Sequence, residues 1–429
     1  MNPATLWQEY GSLTYEDLPP DVIKVANQCI LDWFGCALAG SAEPLAQLLR
    51  EEFGHRQGKC AVIGAKLSLE ARTAALLNGA SGHALDYDDT GASVGCHSTA
   101  PVFPAALAVA EEIGTSGKAL ITAFVVGVEM QGRVHQAMGS NHYGLGWHTT
   151  ATYGTFGATA AAAHLLGLDA EAFGRAWGLA ASHASGVKAN FGTMTKPYHA
   201  GFAAEKGINC ASLARRGFTA NPDAVSGNQG FIQAASNGKS VQASGGDWLI
   251  LGTLFKYHAA CHLTHAAIES VCQLRAKLAP ADLSALTITV HPLLLDVCGI
   301  EEPKTGLEGK FSLRGTAALA LAGFDTADPN AFVDETIGSA QIQELIGKVT
   351  VATDKSLASM QAQVAWMDKS QTRHECEWDV GVPAKDLDGQ GDRLARKFQS
   401  LCRFAGCEPA PLAARLNSLA EAGSVSLSA

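Results

Sequence analysis

The first 250 or so residues consist of apolar segments with small side chains, and that pattern restricts what they can fold into. "PPDVIKVANQCILDWFGCALAG", "LEARTAALLNGASGHALD", "APVFPAALAVAEEIG", "GKALITAFVVGVEMQGRVHQAMG", "TYGTFGATAAAAHLLG" and "AGFAAEKGINCASLARRG" run between Gly or Pro breaks. Their apolar positions recur at helical spacing, and alternating apolar and polar residues are absent through about residue 250. Alanine favours the helix, and small side chains let helix axes approach closely. The expectation for this part is all-helical.

The character changes after "THAAIESVCQLRAK". "LSALTITVHPLLL", "IGKVTVATD" and, more weakly, "ECEWDVGVP" read as strands. Helical stretches such as "FSLRGTAALALAG" and "ETIGSAQIQELIG" lie between them, and "GDRLARKFQSLCRFAG" returns to a helical pattern. A chain of 429 residues is long enough for two domains. The expected fold is mainly α. Residues 1–270 and 396–429 form a large all-helical domain, and residues 271–395 form a smaller α+β module inserted before the C-terminal helices.

Composition narrows the partners. Charged residues make up 17% of the chain, below the roughly 25% usual for soluble domains. Much of the surface is then expected to be covered by another copy, as in a homo-oligomer. The formal net charge of −10 argues against nucleic acid. No uninterrupted apolar run reaches the length of a membrane span, and "MNPATLWQEYGSLTYEDLPP" lacks a signal-peptide pattern, so a cytoplasmic protein is expected. The 11 cysteines include no CxxC pair, which argues for reduced thiols and against structural zinc. Cys29, Cys36, Cys60, Cys210 and Cys272 read as small buried apolar groups.

Four polar clusters interrupt the apolar segments. "SGHALDYDDTGASVGCHSTAP" carries Asp86, Asp88, Asp89, Thr90 and His97. "HYGLGWHTTATYG" carries His142 and His148, and "GTMTKPYHAGFAAEKG" carries Lys196 and His199. "KYHAACHLTHAA" carries Lys256, His258, Cys261, His262 and His265. Polar breaks converging on a helical scaffold are one way to build a pocket. The plainer readings are that Asp88, Asp89 or Thr90 cap a helix and that His164 and His183 are core residues. His258, His262 and His265 fall at i, i+4 and i+7, which suits a metal on one helical face. No carboxylate shares that face, and no HExxH is present. No GxGxxG or P-loop pattern follows a strand, so nucleotide binding is not supported.

The stretches "LDWFGCALAGS", "NGASGHALDYDDT", "HSTAPVFPAALA", "GWHTTATYGTFGATAAAA", "KPYHAGFAAEKG", "THAAIE" and "LEGKFSLRGTAALAL" resemble the MmgE/PrpD family over nearly the whole chain. Its members include 2-methylcitrate dehydratase, cis-aconitate decarboxylase and iminodisuccinate epimerase. The resemblance implies a helical domain with an α+β lid, and a homodimer working without cofactor or metal. It also implies pocket residues at Asp86, Thr90, His97, His148 and Lys196. Cys261 stands where the decarboxylase has a further histidine. The "GASVGC" spacer between Thr90 and His97 is shorter than the Trp-containing insert of bacterial 2-methylcitrate dehydratases, and looks nearer to the decarboxylase and epimerase branches.

Such residues suit chemistry beside a carboxylate. Developing negative charge is stabilised by a lysine in a low-dielectric site, here Lys196 with Lys256, Lys310 and Arg314 in support. Imidazoles give or take a proton near neutral pH. Asp86 could orient a histidine, hold Lys196 charged, or face substrate. The expected activity is a lyase step on a small di- or tricarboxylate. His97 is the leading acid/base, His148 binds or protonates, Lys196 anchors a carboxylate, and Thr90 binds substrate or fixes the loop. An epimerase of a small dicarboxylate is the alternative. A silent binding member and a metal-dependent hydrolase are the outside readings.

Overall fold

A computed structural model describes residues 2–138, 141–236 and 247–427. The chain is mainly α. It divides into two compact units: Met1–Phe255 with Lys385–Ala429, and Lys256–Ala384. The sequence reading set these divisions at 270/271 and 395/396. The helix that decides the first of them is His265–Arg275. Its Ala266, Ala267, Ile268, Val271 and Leu274 share a core with the strands of the second unit. Periodicity shows that a helix has an apolar face, not which core that face joins.

In the first unit the long helices are α1 (Pro20–Gly40), α2 (Ala71–His83), α3 (Thr99–Ile113), α4 (Gly117–Met138), α5 (Thr149–Leu165) and α6 (Thr195–Arg215). α6 packs on α2 and α5, and α3 packs on α2 and α5. The later helix Leu387–Phe404 returns to lie on α1. Almost every residue of α3 and α5 is buried, as expected of helices apolar all round. By length and composition α1 is apolar enough to cross a membrane, but its window is 78% buried in the protein. It packs as a core helix.

Small residues bring α2 and α6 into backbone contact. A Cβ on Gly201 would stand 2.0 Å from the Leu76 carbonyl oxygen, and one on Gly79 would stand 2.8 Å from the Gly201 Cα. Neither neighbour is a side chain that can turn away. This crossing sets His83, at the end of α2, beside the first two turns of α6, which carry Lys196 and His199. Gly201→Ala is therefore expected to lower unfolding free energy by about 3 kcal/mol, the cost of overpacking a rigid core. Denaturant titration reads it, and an unchanged midpoint would contradict the crossing.

The first unit is not wholly free of strands. β1 (Gln57–Ala61) pairs antiparallel with β2 (Ser68–Leu69). β3 (Thr90–Gly91) pairs antiparallel with β4 (Thr253–Leu254), joining Thr90 to Leu254 and Gly91 to Thr253. Pieces two residues long carry no readable alternation.

The second unit holds a four-stranded sheet of order β6-β5-β7-β8. Its strands are β5 (Leu283–Val290), β6 (Val349–Thr353), β7 (Gln361–Asp368) and β8 (Arg373–Asp379). β5 and β6 are parallel, and the other pairs are antiparallel. α7 (His265–Arg275) packs on β7, β8 and α8 (Leu313–Ala322), and α8 also packs on β6. Sequence reading missed β7, whose Ala362, Val364 and Trp366 alternate inward between Gln361, Gln363 and Ala365. Cys29, Cys36, Cys60 and Cys210 are buried as expected, whereas Cys272 is exposed. Its α7 neighbours Val271 and Leu274 turn toward the core instead.

Candidate active site

The loop after α2 is fixed at each step. Asp86 has φ +50°, a left-handed conformation that Asp tolerates better than most residues. Next to it, the Tyr87 carbonyl accepts from Lys397 Nζ at 2.6 Å, and the same ammonium lies 3.9 Å from the Tyr87 ring centroid. Lys397 also pairs with Asp32 Oδ1 at 2.5 Å, and both side chains are almost wholly buried. Asp89 accepts from the Thr99 backbone N–H at 3.3 Å and from its hydroxyl, closing the start of α3. The Ser98 side chain provides no cap there. The Thr90 hydroxyl donates to the Cys96 carbonyl at 3.4 Å, which places it in loop closure.

Burial, with the charges of Asp32 and Asp88 added, raises Asp89 from its ordinary 3.8 to about 7 against the pull of Thr99. Between those values the folded chain keeps a proton that the unfolded chain has released. Stability from this group therefore falls as pH rises from about 4 to about 7. Relative to wild type, Asp89→Asn is expected to gain on the order of 1 kcal/mol per pH unit across that window and to level off above it. Denaturant titrations of both proteins at a series of pH values check the slope; parallel curves would contradict it.

Beside this loop five titratable groups form a chain of alternating charge type. Lys196 Nζ lies 2.8 Å from Asp86 Oδ1. His97 Nε2 lies 3.5 Å from the same oxygen, and His97 Nδ1 lies 3.1 Å from Asp88 Oδ2. The Asp88 oxygens lie 2.9 and 3.0 Å from His83 Nδ1. Burial alone would favour the neutral acid at Asp88. The two imidazoles outweigh it and hold the carboxyl well below the usual carboxylate range. His83 moves the other way. Burial lowers it to about 4 despite the Asp88 charge, so its ring is neutral at pH 7.

A second imidazole pair stands close by. His148 Nδ1 and His199 Nδ1 are 3.0 Å apart, so one donates and the other accepts. Burial lowers both, and for His148 the adjoining His83 imidazole and the Lys196 ammonium further disfavour a charged ring. The His148 backbone is fixed by its N–H donating to the Gly186 carbonyl at 2.9 Å. Phe191 packs edge-on against the His148 ring at 4.9 Å between centroids, and Lys196 Nζ lies 5.7 Å from the Phe191 ring. His83 neighbours both groups, with ring centroids 4.5 Å from His97 and 6.0 Å from His148.

The first unit thus gathers Asp86, His97 and Lys196 through direct contacts, with His148 and Thr90 alongside. Lys256, Cys261 and Lys310 belong to the second unit. There Lys256 is buried, and the Cys261 N–H donates to the Lys310 carbonyl at 3.0 Å. Arg314 Nη2 lies 3.5 Å from Glu301. The expected helical face of His258, His262 and His265 does not form, because residues 262–264 make a 3₁₀ turn and α7 starts at His265. A carboxylate does join this group, since Glu269 Oε1 lies 3.1 Å from His258 Nε2. His142 is a satisfied core residue, bonded to the Ala235 carbonyl and the Thr152 hydroxyl.

Sequence reading missed His83 and took Asp88 for helix capping or support; the structure makes Asp88 the bridge between two imidazoles. The available signal was His83 five residues before Asp88 in "HALDYDD", across a helix end. The donor atoms of His83, Asp86, Asp88 and His97 lie within 4.8 Å of one another, close enough to hold a cation. The Lys196 ammonium already supplies positive charge at Asp86, and both Nδ1 atoms face Asp88. A divalent ion on Asp86 would face that ammonium at short range, so these residues do not fit one well.

The family model for the MmgE/PrpD N-terminal domain matches residues 9–244, and that for the C-terminal domain matches residues 258–410. The chain belongs to the MmgE/PrpD family. The change from one family domain to the other brackets the unit division at Phe255. The chain is 27% identical to a cis-aconitate decarboxylase of Aspergillus terreus, over 91% of its own length and 87% of that protein. It is 28% identical to the cis-aconitate decarboxylase of Homo sapiens, over 76% of its length and 72% of the relative. A cis-aconitate decarboxylase-like protein of Aspergillus oryzae is 31% identical over 63% of this chain.

Proposed function

We propose that the protein is a cofactor-independent lyase that decarboxylates cis-aconitate or a closely similar small polycarboxylate. The observation that carries the reading is the Lys196–Asp86–His97–Asp88 arrangement in a member of a family with decarboxylase relatives. The Lys196 ammonium holds a substrate carboxylate. In a β,γ-unsaturated acid, loss of CO2 leaves the electron pair of the broken C–C bond. That pair forms a new alkene, and the electrons of the old alkene take up one proton at carbon. His97 delivers that proton from Nε2, because its Nδ1 faces Asp88. The neutral His148 ring forms a polar wall beside Phe191.

A second reading, epimerisation of a small dicarboxylate, rests on one observation. His97 and His148 both neighbour His83 as two separate imidazoles, and epimerisation needs one group to remove a proton and another to return it. The reading keeps the expected homodimer and cytoplasmic setting.

Incubation with cis-aconitate, 2-methylcitrate and iminodisuccinate in D2O, followed by NMR, separates these outcomes. Decarboxylation releases CO2 and places one solvent deuterium on carbon per turnover. Exchange of an α-hydrogen without CO2 favours the second reading, and alkene formation from 2-methylcitrate marks a dehydratase. Absence of turnover and exchange with all three would overturn the proposal.

A further inference from the structure

We propose that His83 is a positioning residue for the acid/base step: through Asp88 it fixes the proton of His97 on Nδ1 and leaves Nε2 as the reacting nitrogen. The inference rests on the reading of His97 as the acid/base group.

The His83 side chain is fully buried and cannot meet bulk solvent. Among the described residues its only hydrogen-bonding partner is Asp88, which its Nδ1 meets at 2.9 and 3.0 Å. Whatever His83 does by hydrogen bonding, it does through Asp88. The Asp88 side chain is likewise fully buried, and its two polar neighbours are His83 Nδ1 and His97 Nδ1, the latter at 3.1 Å.

An ionised carboxylate only accepts hydrogen bonds, so the His83 Nδ1 that bonds it carries a proton. His97 Nδ1 stands 3.1 Å from Asp88 Oδ2 at an angle short of a full hydrogen bond, and at that distance an N–H toward the carboxylate is favoured over a lone pair. For a neutral His97 ring this selects one tautomer. The proton sits on Nδ1, and Nε2 is left as the basic nitrogen, 3.5 Å from an Asp86 oxygen whose charge the Lys196 ammonium already takes up at 2.8 Å. A carboxylate held by one donor can swing about its Cβ–Cγ bond. His83 meets both Asp88 oxygens and so holds the plane that aims Oδ2 at His97. Because burial keeps His83 neutral at physiological pH, it does not compete with His97 as a proton donor. The groups facing His97 are Asp86 and Asp88 from the loop, His83 from α2, Thr150 and His148 at the start of α5, and Lys196 from α6. The Thr150 hydroxyl accepts from the backbone N–H of His97 at 3.3 Å.

Asparagine and glutamine separate the two ring positions. Asn places its amide N–H near the site of Nδ1, whereas the longer Gln places it near the site of Nε2. His83→Asn is expected to retain most of the wild-type kcat. His83→Gln and His83→Leu are expected to lower kcat about 10–100-fold, as loss of an orienting neighbour does, with KM within about twofold. They are also expected to displace the kcat–pH profile. In ¹⁵N-histidine-labelled protein, assigned with His97→Gln, the His97 signals should report the Nδ1–H tautomer in wild type and His83→Asn, and a mixture in His83→Gln. A His83→Gln protein with the wild-type tautomer and pH profile would overturn the proposal. So would His83→Asn as impaired as His83→Gln. Should wild type turn over none of the polycarboxylates, the functional reading falls, while the ¹⁵N spectra still decide whether His83 sets the His97 tautomer.

Discussion

Lys196→Met is expected to stay folded and to lose about 10²–10³-fold in kcat/KM, the scale seen when one fixed charge-stabilising group is removed from an active site. Lys196 is the cation of the first-unit cluster, 2.8 Å from Asp86, with His97 3.5 Å from the same oxygen. Without it the cluster keeps two carboxylates and repels an anionic substrate, and developing negative charge loses its counter-charge. Stability should change by less than about 1 kcal/mol, because the Asp86 side chain is 44% exposed and the pair is screened by solvent. The two effects separate cleanly: kinetics should collapse while the thermal midpoint stays within a few degrees. A Lys196→Met enzyme within tenfold of wild type would remove the anchor from the mechanism. Lys196→Arg is expected to recover part of the binding and less of kcat, because a planar guanidinium does not replace a compact ammonium at the same point.

The second large effect lies far from the chemistry in sequence and next to it in space. Lys397 stands 2.5 Å from Asp32 and 2.6 Å from the Tyr87 carbonyl, with both charged side chains almost fully buried. Lys397→Met deprives a buried carboxylate of its cation, a change that costs about 3–5 kcal/mol. It also removes the ammonium that donates to the carbonyl of Tyr87, the residue after Asp86 with its left-handed backbone. The double variant Asp32→Leu with Lys397→Met is expected to recover most of the stability, since replacing both partners removes the stranded charge. It should not recover full activity, because Lys397 no longer donates to the Tyr87 carbonyl in the site loop. Denaturant midpoints and kcat for the single and double variants test this. Full activity in a restored double variant would show that the anchor serves stability alone.

Much of the helical framework could be read from the chain, because α3, α4, α5 and α6 announce themselves by small apolar residues at helical spacing. Asp86, His97, His148 and Lys196 were legible for a related reason: a Gly-rich break in an apolar helical chain is where polar groups can meet. His83 was not legible, since a histidine in the last turn of a helix is an ordinary end signal. Asp88 resembled Asp89, and only Asp89 closes a helix start. The strand β7 and the division at Phe255 escaped for separate reasons. β7 alternates through Ala362 and Ala365 rather than β-branched residues, a weak strand signal, and the division depends on which core the apolar face of α7 joins.

The sequence by itself determined that the first part would be helical and which polar side chains would fall at its breaks, because periodicity and residue type act locally. Tertiary structure decided what those side chains do. The backbone contact of α2 and α6 at Gly79 and Gly201 brings His83, Lys196 and His199 to one place, and Lys397 ties down the loop from a helix some 300 residues later. Charge, tautomer and buried state then follow from neighbours in space, which no local pattern along the chain records.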